Sequence, residues 1–398
     1  TTEIAMVYNE IKHMIKNLPK YYRIKKVRTP SIYWGAKSFI IPEPVGKVLI
    51  IGPWNYPFNL MIMPLIGSIA AGNCTILKPS EYAPHTSSII ANIITEAFKP
   101  EYIAVIEGDV QISTKILQNP FNHIFFTGGT EVGKIIMQNA AIHLTPITLE
   151  LGGKSPCIVE ADINLEITAR RIAWGKYLNA GQTCVAPDYL LVNKAIKNDL
   201  LKKLNDVIIE FYGHNPQNSK DYSRIINDRH FDRLVSLLQQ GDIYCGGRFN
   251  KESLYISPTI IENISSDQPI MQEEIFGPIL PVIEYENLEE AIDLIKTKPT
   301  PLALYFFSGN KNKQKHVLNS TISGGVCIND TIIHITSSNL PFGGIGQSGL
   351  GSYHGRASFD VFTHYKSVMN NTQLYDLKLK YPPYCLKLST MKRLLKLL

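Results

Sequence analysis

Ile4, Val7, Ile11, Met14 and Ile15 recur at the three- and four-residue spacing of an amphipathic helix, which predicts a helix over 3–17. A basic stretch at 20–28 follows. Then come Thr29-Pro30 and residues 38–42, where β-type residues broken by prolines predict a short extended arm and not a central strand. From residue 45 short apolar runs alternate with amphipathic ones. Strands are expected at 45–51, 74–77, 102–106 and 124–126, and helices at 59–71, 84–98, 109–118 and 130–141. Pro84 suits the first turn of its helix. The second half repeats the style. It predicts a helix at 162–178, a strand at 189–192 and a helix at 197–211 that gathers Leu200, Leu201, Leu204, Val207, Ile208 and Phe211 on one side. Strands at 258–261, 279–285, 302–307 and 325–328 and a helix at 288–296 complete it. Short strands alternating with helices predict an α/β protein built on parallel, doubly wound sheets. In such sheets ligands bind outside the carboxyl ends of the strands. With 398 residues, two or more domains are expected.

Two glycine-rich stretches compete for a phosphate. Gly344, Gly346 and Gly349 match GxGxxG literally, but the stretch follows Pro341-Phe342, leaves no clear strand and opens no helix, so it fails the context that the fingerprint requires. Gly128-Gly129-Thr130-Glu131-Val132-Gly133 lacks the spacing, yet it leaves a strand at Thr127 and enters a helix, where N–H groups can meet a pyrophosphate. The imperfect motif is preferred for its context.

Cys184 follows Asn179-Ala180-Gly181-Gln182-Thr183. It reads either as a small buried hydrophobe, the commoner fate of a lone Cys, or as a thiol exposed by a polar turn near backbone N–H groups. In the second case it needs help, since a free thiol with a pKa of about 8.5 is mostly protonated at neutral pH. Glu150 ends an apolar run (Ile147, Leu149) and precedes Gly152-Gly153. It reads either as a solvated carboxylate or as a partly buried base at the carboxyl end of a strand.

Composition narrows the class. A net charge of +6 is modest for the length and is spread out, apart from 20–28 and the last few residues, so it does not argue for nucleic acid. Six cysteines stand far apart, at 74, 157, 184, 245, 327 and 385, without CxxC spacing or a Cys/His cluster for zinc. That scatter suits a reducing, cytoplasmic compartment, with the five cysteines other than Cys184 as core or incidental thiols. No signal peptide and no membrane-spanning apolar run is present in the sequence. The tail 391–398 places basic and leucine residues at helical spacing. It reads as a terminal helix, with a membrane contact as the weaker alternative. His354 reads as structural. The chain starts at Thr1 inside a helical pattern, so a truncated start is expected.

Seven stretches occur in a telling order: Pro53-Trp54-Asn55-Tyr56-Pro57, Lys78-Pro79-Ser80-Glu81, Phe126-Thr127-Gly128-Gly129-Thr130-Glu131-Val132-Gly133, Leu149-Glu150-Leu151-Gly152-Gly153-Lys154, Gly181-Gln182-Thr183-Cys184, Glu273-Glu274-Ile275-Phe276-Gly277-Pro278 and Pro341-Phe342-Gly343-Gly344. Up to about residue 370 the chain resembles the aldehyde dehydrogenase superfamily, and in its wording the class 3 (fatty and aromatic aldehyde) branch. The resemblance implies a Rossmann-like cofactor domain at 1–149 with an arm segment at 23–40, an α/β catalytic domain at 150–355, and an oligomerisation arm and tail at 356–398. It implies oxidation of medium- or long-chain aliphatic, or aromatic, aldehydes to carboxylic acids with NAD, and with NADP in many class 3 relatives. Cys184 matches the nucleophile, Asn55 the oxyanion-holding amide and Glu150 the base. Lys78 and Glu81 match the adenosine-ribose residues, and Glu81 should disfavour a 2′-phosphate. Thr127, Gly128, Gly129, Thr130, Glu131, Val132 and Gly133 match the pyrophosphate loop, with Gly129 where many relatives have Ser or Asn. Glu274 matches the nicotinamide-ribose carboxylate, with Phe276 beside it. The family also implies a homodimer, no transmembrane anchor for this chain, and several dozen further residues ahead of its start. Two other readings are a non-catalytic structural or binding member of the family and a cofactor-independent thiol esterase using Cys184.

Overall fold

A computed structural model describes residues 2–376, 380–384 and 388–395. The chain divides into a large unit, Thr1–Tyr21 with Pro44–His364, and a small one, Tyr22–Glu43 with Tyr365–Leu398.

The large unit holds two sheets. The first runs, in space, Gly349–Leu350, Ile147–Glu150, His123–Thr127, Lys47–Ile51, Cys74–Lys78, Ile103–Val105. All its pairs are parallel except that of Gly349–Leu350. Lys47–Ile51 comes first in the chain but lies mid-sheet, so the strand order reverses between it and His123–Thr127. Ligands bind at such a reversal, outside the carboxyl ends. The loops leaving these two strands are 52–58, which carries Asn55, and 128–129, which enters the helix Thr130–Ile142. The second sheet runs Asp242–Cys245, Thr259–Glu262, Ile279–Tyr285, Tyr189–Asn193, Pro156–Val159, Ala303–Phe307, Gly325–Ile328, again parallel apart from the first pair.

The predicted alternation matches the observed one closely, because these strands are buried on both faces and read as apolar runs. Ile158, Val159, Leu190, Val192, Leu280, Leu304 and Phe306 are fully buried. The strand Pro156–Val159 had no predicted counterpart. Its proline stands at the first strand position, where a missing N–H costs the ladder least.

The small unit corrects one expectation. Lys37–Pro44 is the middle strand of a three-stranded sheet, between Lys25–Val27 and Thr363–Asn370, despite Pro42. The reason lies in the register. Lys25–Val27 pairs only with residues 38–40, so Pro42 and Pro44 both lie beyond the stretch that pairs with it. Leu388–Leu395 is helical. Cys385 and residues 396–398 of the tail lie outside the described residues.

Candidate active site

The site forms where the carboxyl end of the first sheet meets the amino ends of the second. Glu150 closes Ile147–Glu150. Cys184 and Glu274 lie in the loops entering Tyr189–Asn193 and Ile279–Tyr285, which are neighbouring strands.

After the helix Leu165–Tyr177 the chain turns through three consecutive left-handed residues, Asn179 (φ 53°), Ala180 (φ 51°) and Gly181 (φ 74°). Such positions cost a non-glycine residue on the order of 1–3 kcal/mol and persist only where their surroundings hold them. The Gln182 side chain does much of the holding. It donates to the carbonyls of Asn179 (3.1 Å) and Arg224 (2.9 Å) and accepts from the N–H of Ile226 (3.0 Å). A Cβ on Gly181 would lie 2.2 Å from the Gly277 carbonyl oxygen, so only glycine fits there. The turn delivers a half-buried Cys184 thiol within reach of the backbone N–H groups of Cys184 and Val185, both of which favour the thiolate. Burial outweighs them. Together with the carboxylates of Glu274 and Glu150 it pushes the thiol pKa up to about 12.

Asn55 sits against this loop. Its amide donates to the Gln182 carbonyl (3.0 Å), while its own carbonyl accepts from the Asn179 amide (2.9 Å). The next residue, Tyr56, shares a hydrogen bond with Thr183 (2.7 Å). Glu150 is 2% exposed and neither carboxylate oxygen has a partner. Burial without a partner raises its pKa well above the ordinary carboxylate range. The strand Gly349–Leu350 lies alongside, with Gly349 opposite Glu150. The literal GxGxxG stretch thus serves packing: a Cβ on Gly344 or Gly349 would strike the backbone at 2.0 and 2.5 Å.

Glu274 is half-buried. Its carboxylate accepts from the Gly153 N–H and occupies the space a Gly152 Cβ would need, 2.0 Å from its Oε2. Burial, then Asp188, raise its pKa to about 8. Three residues without an assigned role in the sequence hold this segment. Lys154 pairs with Asp188, both 4% exposed, and donates to the Ile270 (2.7 Å) and Glu273 (2.9 Å) carbonyls. Asp188 accepts from the Ile275 N–H (2.8 Å), and Arg233 donates to the carbonyls of Ile275 (2.6 Å) and Glu274 (3.3 Å). Phe276, at φ 47°, meets Trp54 edge-on at 5.5 Å. Lys154 ends one of the stretches that carry the resemblance, but its partnership with Asp188 spans 34 residues and leaves no local signal.

A cofactor-shaped path leads away from Glu150. Thr127 is buried and its hydroxyl lacks a partner. Gly129 caps the helix Thr130–Ile142, and a Cβ there would meet nothing within 4 Å, so the approach to the helix N-terminus is open. Gly128 and Gly133 are packing positions against Phe126 and Leu151. The Thr130 hydroxyl bonds the Gln347 carbonyl (3.3 Å), Glu131 pairs with Lys134 (2.7 Å), and Val132 is exposed. Beyond lies a cavity of about 190 Å³ lined by Pro79, Ser80, Glu81, Pro84, Ser87, Glu107 and Gly108. Lys78 is buried under its edge, donating to the Pro79 carbonyl (2.7 Å) and lying 3.5 Å from Glu81. An orphaned hydroxyl, an open helix N-terminus and a cavity one nucleoside wide fit a dinucleotide. Glu107 had no signal in the sequence. Among the described residues there is no cluster of three or more His, Cys, Asp or Glu that could hold a metal, and no helix is long and apolar enough to cross a membrane.

Residues 1–368 match the model of the aldehyde dehydrogenase family. The chain is 47% identical over 383 residues to aldehyde dehydrogenase family 3 member A2 of Macaca fascicularis, covering 96% of this chain and 79% of that one. It is equally similar to the dimeric NADP-preferring aldehyde dehydrogenase of Rattus norvegicus, 47% over 383 residues, covering 96% and 84%. A solved structure of the Staphylococcus aureus aldehyde dehydrogenase AldH in its substrate-bound state superposes with a TM-score of 0.95 at 46% identity, over 99% of this chain and 86% of that one.

Proposed function

The chain belongs to the aldehyde dehydrogenase family, where the class 3 branch fits it, and from that premise we propose how its residues divide the work. The enzyme is an oxidoreductase that converts aldehydes to carboxylic acids with NAD(P). The observation that carries the division of labour is the convergence of Cys184, Asn55, Glu150 and Glu274 on one junction between two sheets.

The Cys184 sulfur attacks the aldehyde carbon, and its proton passes to solvent. The new oxyanion takes the Asn55 amide and the Cys184 N–H, which worked on the Gln182 carbonyl and the thiol in the empty site. One such donor is worth about 2.7–4 kcal/mol in the transition state. A nicotinamide cofactor, when bound, would supply the hydride acceptor. Cys184 is left as an acyl thioester, and splitting the reaction at a covalent bond is ordinary nucleophilic catalysis. Glu150, in its ionised form, takes a proton from the water that cleaves the thioester. Glu274 and Phe276 would hold the nicotinamide end of that cofactor, the loop from Thr127 to the helix start its pyrophosphate, and Lys78 and Glu81 its adenosine ribose. The division is tested by replacing Cys184 and Glu150 separately: the first change must remove NADH formation, the second must leave one turnover of it.

Glu81 and Glu107 both line the ribose cavity, with Lys78 buried under its edge 3.5 Å from Glu81. Two carboxylates repel a 2′-phosphate, so NAD is the preferred cofactor although a similar rat enzyme is NADP-preferring by name. Replacing both by glutamine should raise kcat/KM for NADP on the order of tenfold, the equivalent of about 1.4 kcal/mol. An unchanged NAD-to-NADP ratio would remove these residues from cofactor choice.

The substrates are medium- or long-chain aliphatic, or aromatic, aldehydes, as in the branch. The domain division is that of a cofactor domain around the first sheet, a catalytic domain around the second, and the small unit as arm. The family resemblance supports a homodimer, joined through the edge strand Thr363–Asn370. Light scattering should give twice 44.7 kDa, and a monomer mass would refute the dimer. Free thiols at 74, 157, 184, 245 and 327 support a reducing, cytoplasmic location; recovery of the native protein in disulfide-bonded form would refute it.

A further inference from the structure

Charge is divided unevenly between the two units. The small unit holds twelve Lys and Arg against two acidic residues, whereas the rest of the chain holds 28 against 32. The small unit thus has a net charge of +10 in 56 residues, and the large unit one of −4. Both acidic residues of the small unit are already in ion pairs, Glu43 with Lys366 and Asp376 with Lys380 (2.6 Å). Arg23, Lys25, Lys26 and Arg28 are all exposed, on and around the edge strand Lys25–Val27. This is far from the even scatter of a solvated surface.

Apolar groups stand among these cations in the same unit. Trp34 is 78% exposed and Leu374 94%, with Tyr22, Ile24, Tyr384 and Leu388 also more than half exposed. Trp34 is no stray side chain. Its ring meets Tyr375 at 5.8 Å, its carbonyl accepts the Tyr375 hydroxyl, and Gly35 turns beneath it at φ 86°. An exposed indole in a unit of net charge +10 has the chemistry of a bilayer interface. There aromatic rings enter the headgroup level and cations meet anionic lipid within a Debye length of about 8–10 Å.

We propose that the small unit docks the enzyme on lipid surfaces rich in anionic headgroups, through the basic edge at 23–28 and the Trp34 turn. The small unit of a second copy does not fit this patch, because it would bring +10 against +10. A dimer through Thr363–Asn370 uses the opposite edge of the sheet and leaves Lys25–Val27 outside. The inference does not depend on the catalytic reading, since none of these residues belongs to the site.

The test uses the full chain with vesicles of phosphatidylcholine alone or with about 30 mol % phosphatidylserine. The protein should co-sediment with the anionic vesicles at least tenfold more than with the neutral ones, and high salt should release it. Trp34 fluorescence should move to shorter wavelength on the anionic vesicles only, and a Trp34→Phe variant should lose that shift. Reversing Lys25, Lys26 and Arg28 to glutamate should cut binding at least tenfold while turnover of a short, water-soluble aldehyde persists. Absence of co-sedimentation at low salt, an unmoved Trp34 spectrum, or binding to duplex nucleic acid in preference to anionic vesicles would each overturn the proposal. The spectrum of the unmodified protein decides the matter even if the triple variant fails to fold.

Discussion

Replacing Cys184 by alanine lowers NADH formation from any aldehyde by at least about 10⁴-fold in kcat/KM, the scale of loss when a nucleophile is removed from a catalytic unit. The loss is that large because nothing near the thiol can replace it. Thr183 is engaged with Tyr56, and the other described cysteines lie at strand positions or, for Cys74, on the surface. The fold should survive, since the turn at 179–181 is held by Gln182 and by the fit of Gly181 under Gly277, not by the thiol. The variant should therefore bind NAD with the affinity of the unmodified protein. Activity within tenfold of wild type would remove Cys184 from the chemistry. Failure to bind NAD as well would favour the structural, non-catalytic reading.

Burial, with Glu274 and Glu150 beside it, pushes the Cys184 thiol pKa up to about 12.

Glutamine at position 150 separates the two half-reactions. Acylation and hydride transfer need no base at Glu150, so a first equivalent of NADH still forms. Hydrolysis of the thioester does need one, and steady-state turnover falls by about 10²–10⁴-fold, the range of general-base contributions. A steady rate equal to wild type after the burst would sink the base role. The substitution also has a stability signature in the unliganded chain. A buried carboxyl with a raised folded-state pKa makes its full contribution below the unfolded value, near 4.5, and loses it as pH rises through the folded value. Glu150→Gln should therefore melt increasingly above wild type as pH climbs past about 4.5 and match it below. A melting difference that does not grow with pH would mean that the Glu150 pKa is not raised.

Much of this was legible in the sequence, for a physical reason. Strands covered on both faces are written as apolar runs, so His123–Thr127 or Ala303–Phe307 could be placed within a residue or two. Cys184, Glu150 and Asn55 stand in short stretches with distinctive neighbours. What escaped depends on partners far along the chain. Lys37–Pro44 is a middle strand despite its prolines, and the short pairing of Lys25–Val27 with residues 38–40, which leaves Pro42 and Pro44 outside it, is not written locally. Gly349–Leu350 is two residues long and acquires meaning only beside Glu150. Lys154, Asp188 and Arg233 hold the Glu274 segment through groups up to 119 residues away. The pKa shifts were illegible for the same reason: a carboxyl pKa rises where the fold buries it without a partner, as it does Glu150.

The central claim is that the aldehyde carbon is carried on Cys184 and released by Glu150. It is tested most directly by the mass of the Cys184 peptide after Glu150→Gln has been mixed with NAD and an aldehyde and quenched in acid. The account predicts one equivalent of NADH and a Cys184 peptide heavier by the aldehyde less two hydrogen atoms, the thioester. One equivalent of NADH with an unmodified Cys184 peptide would contradict it.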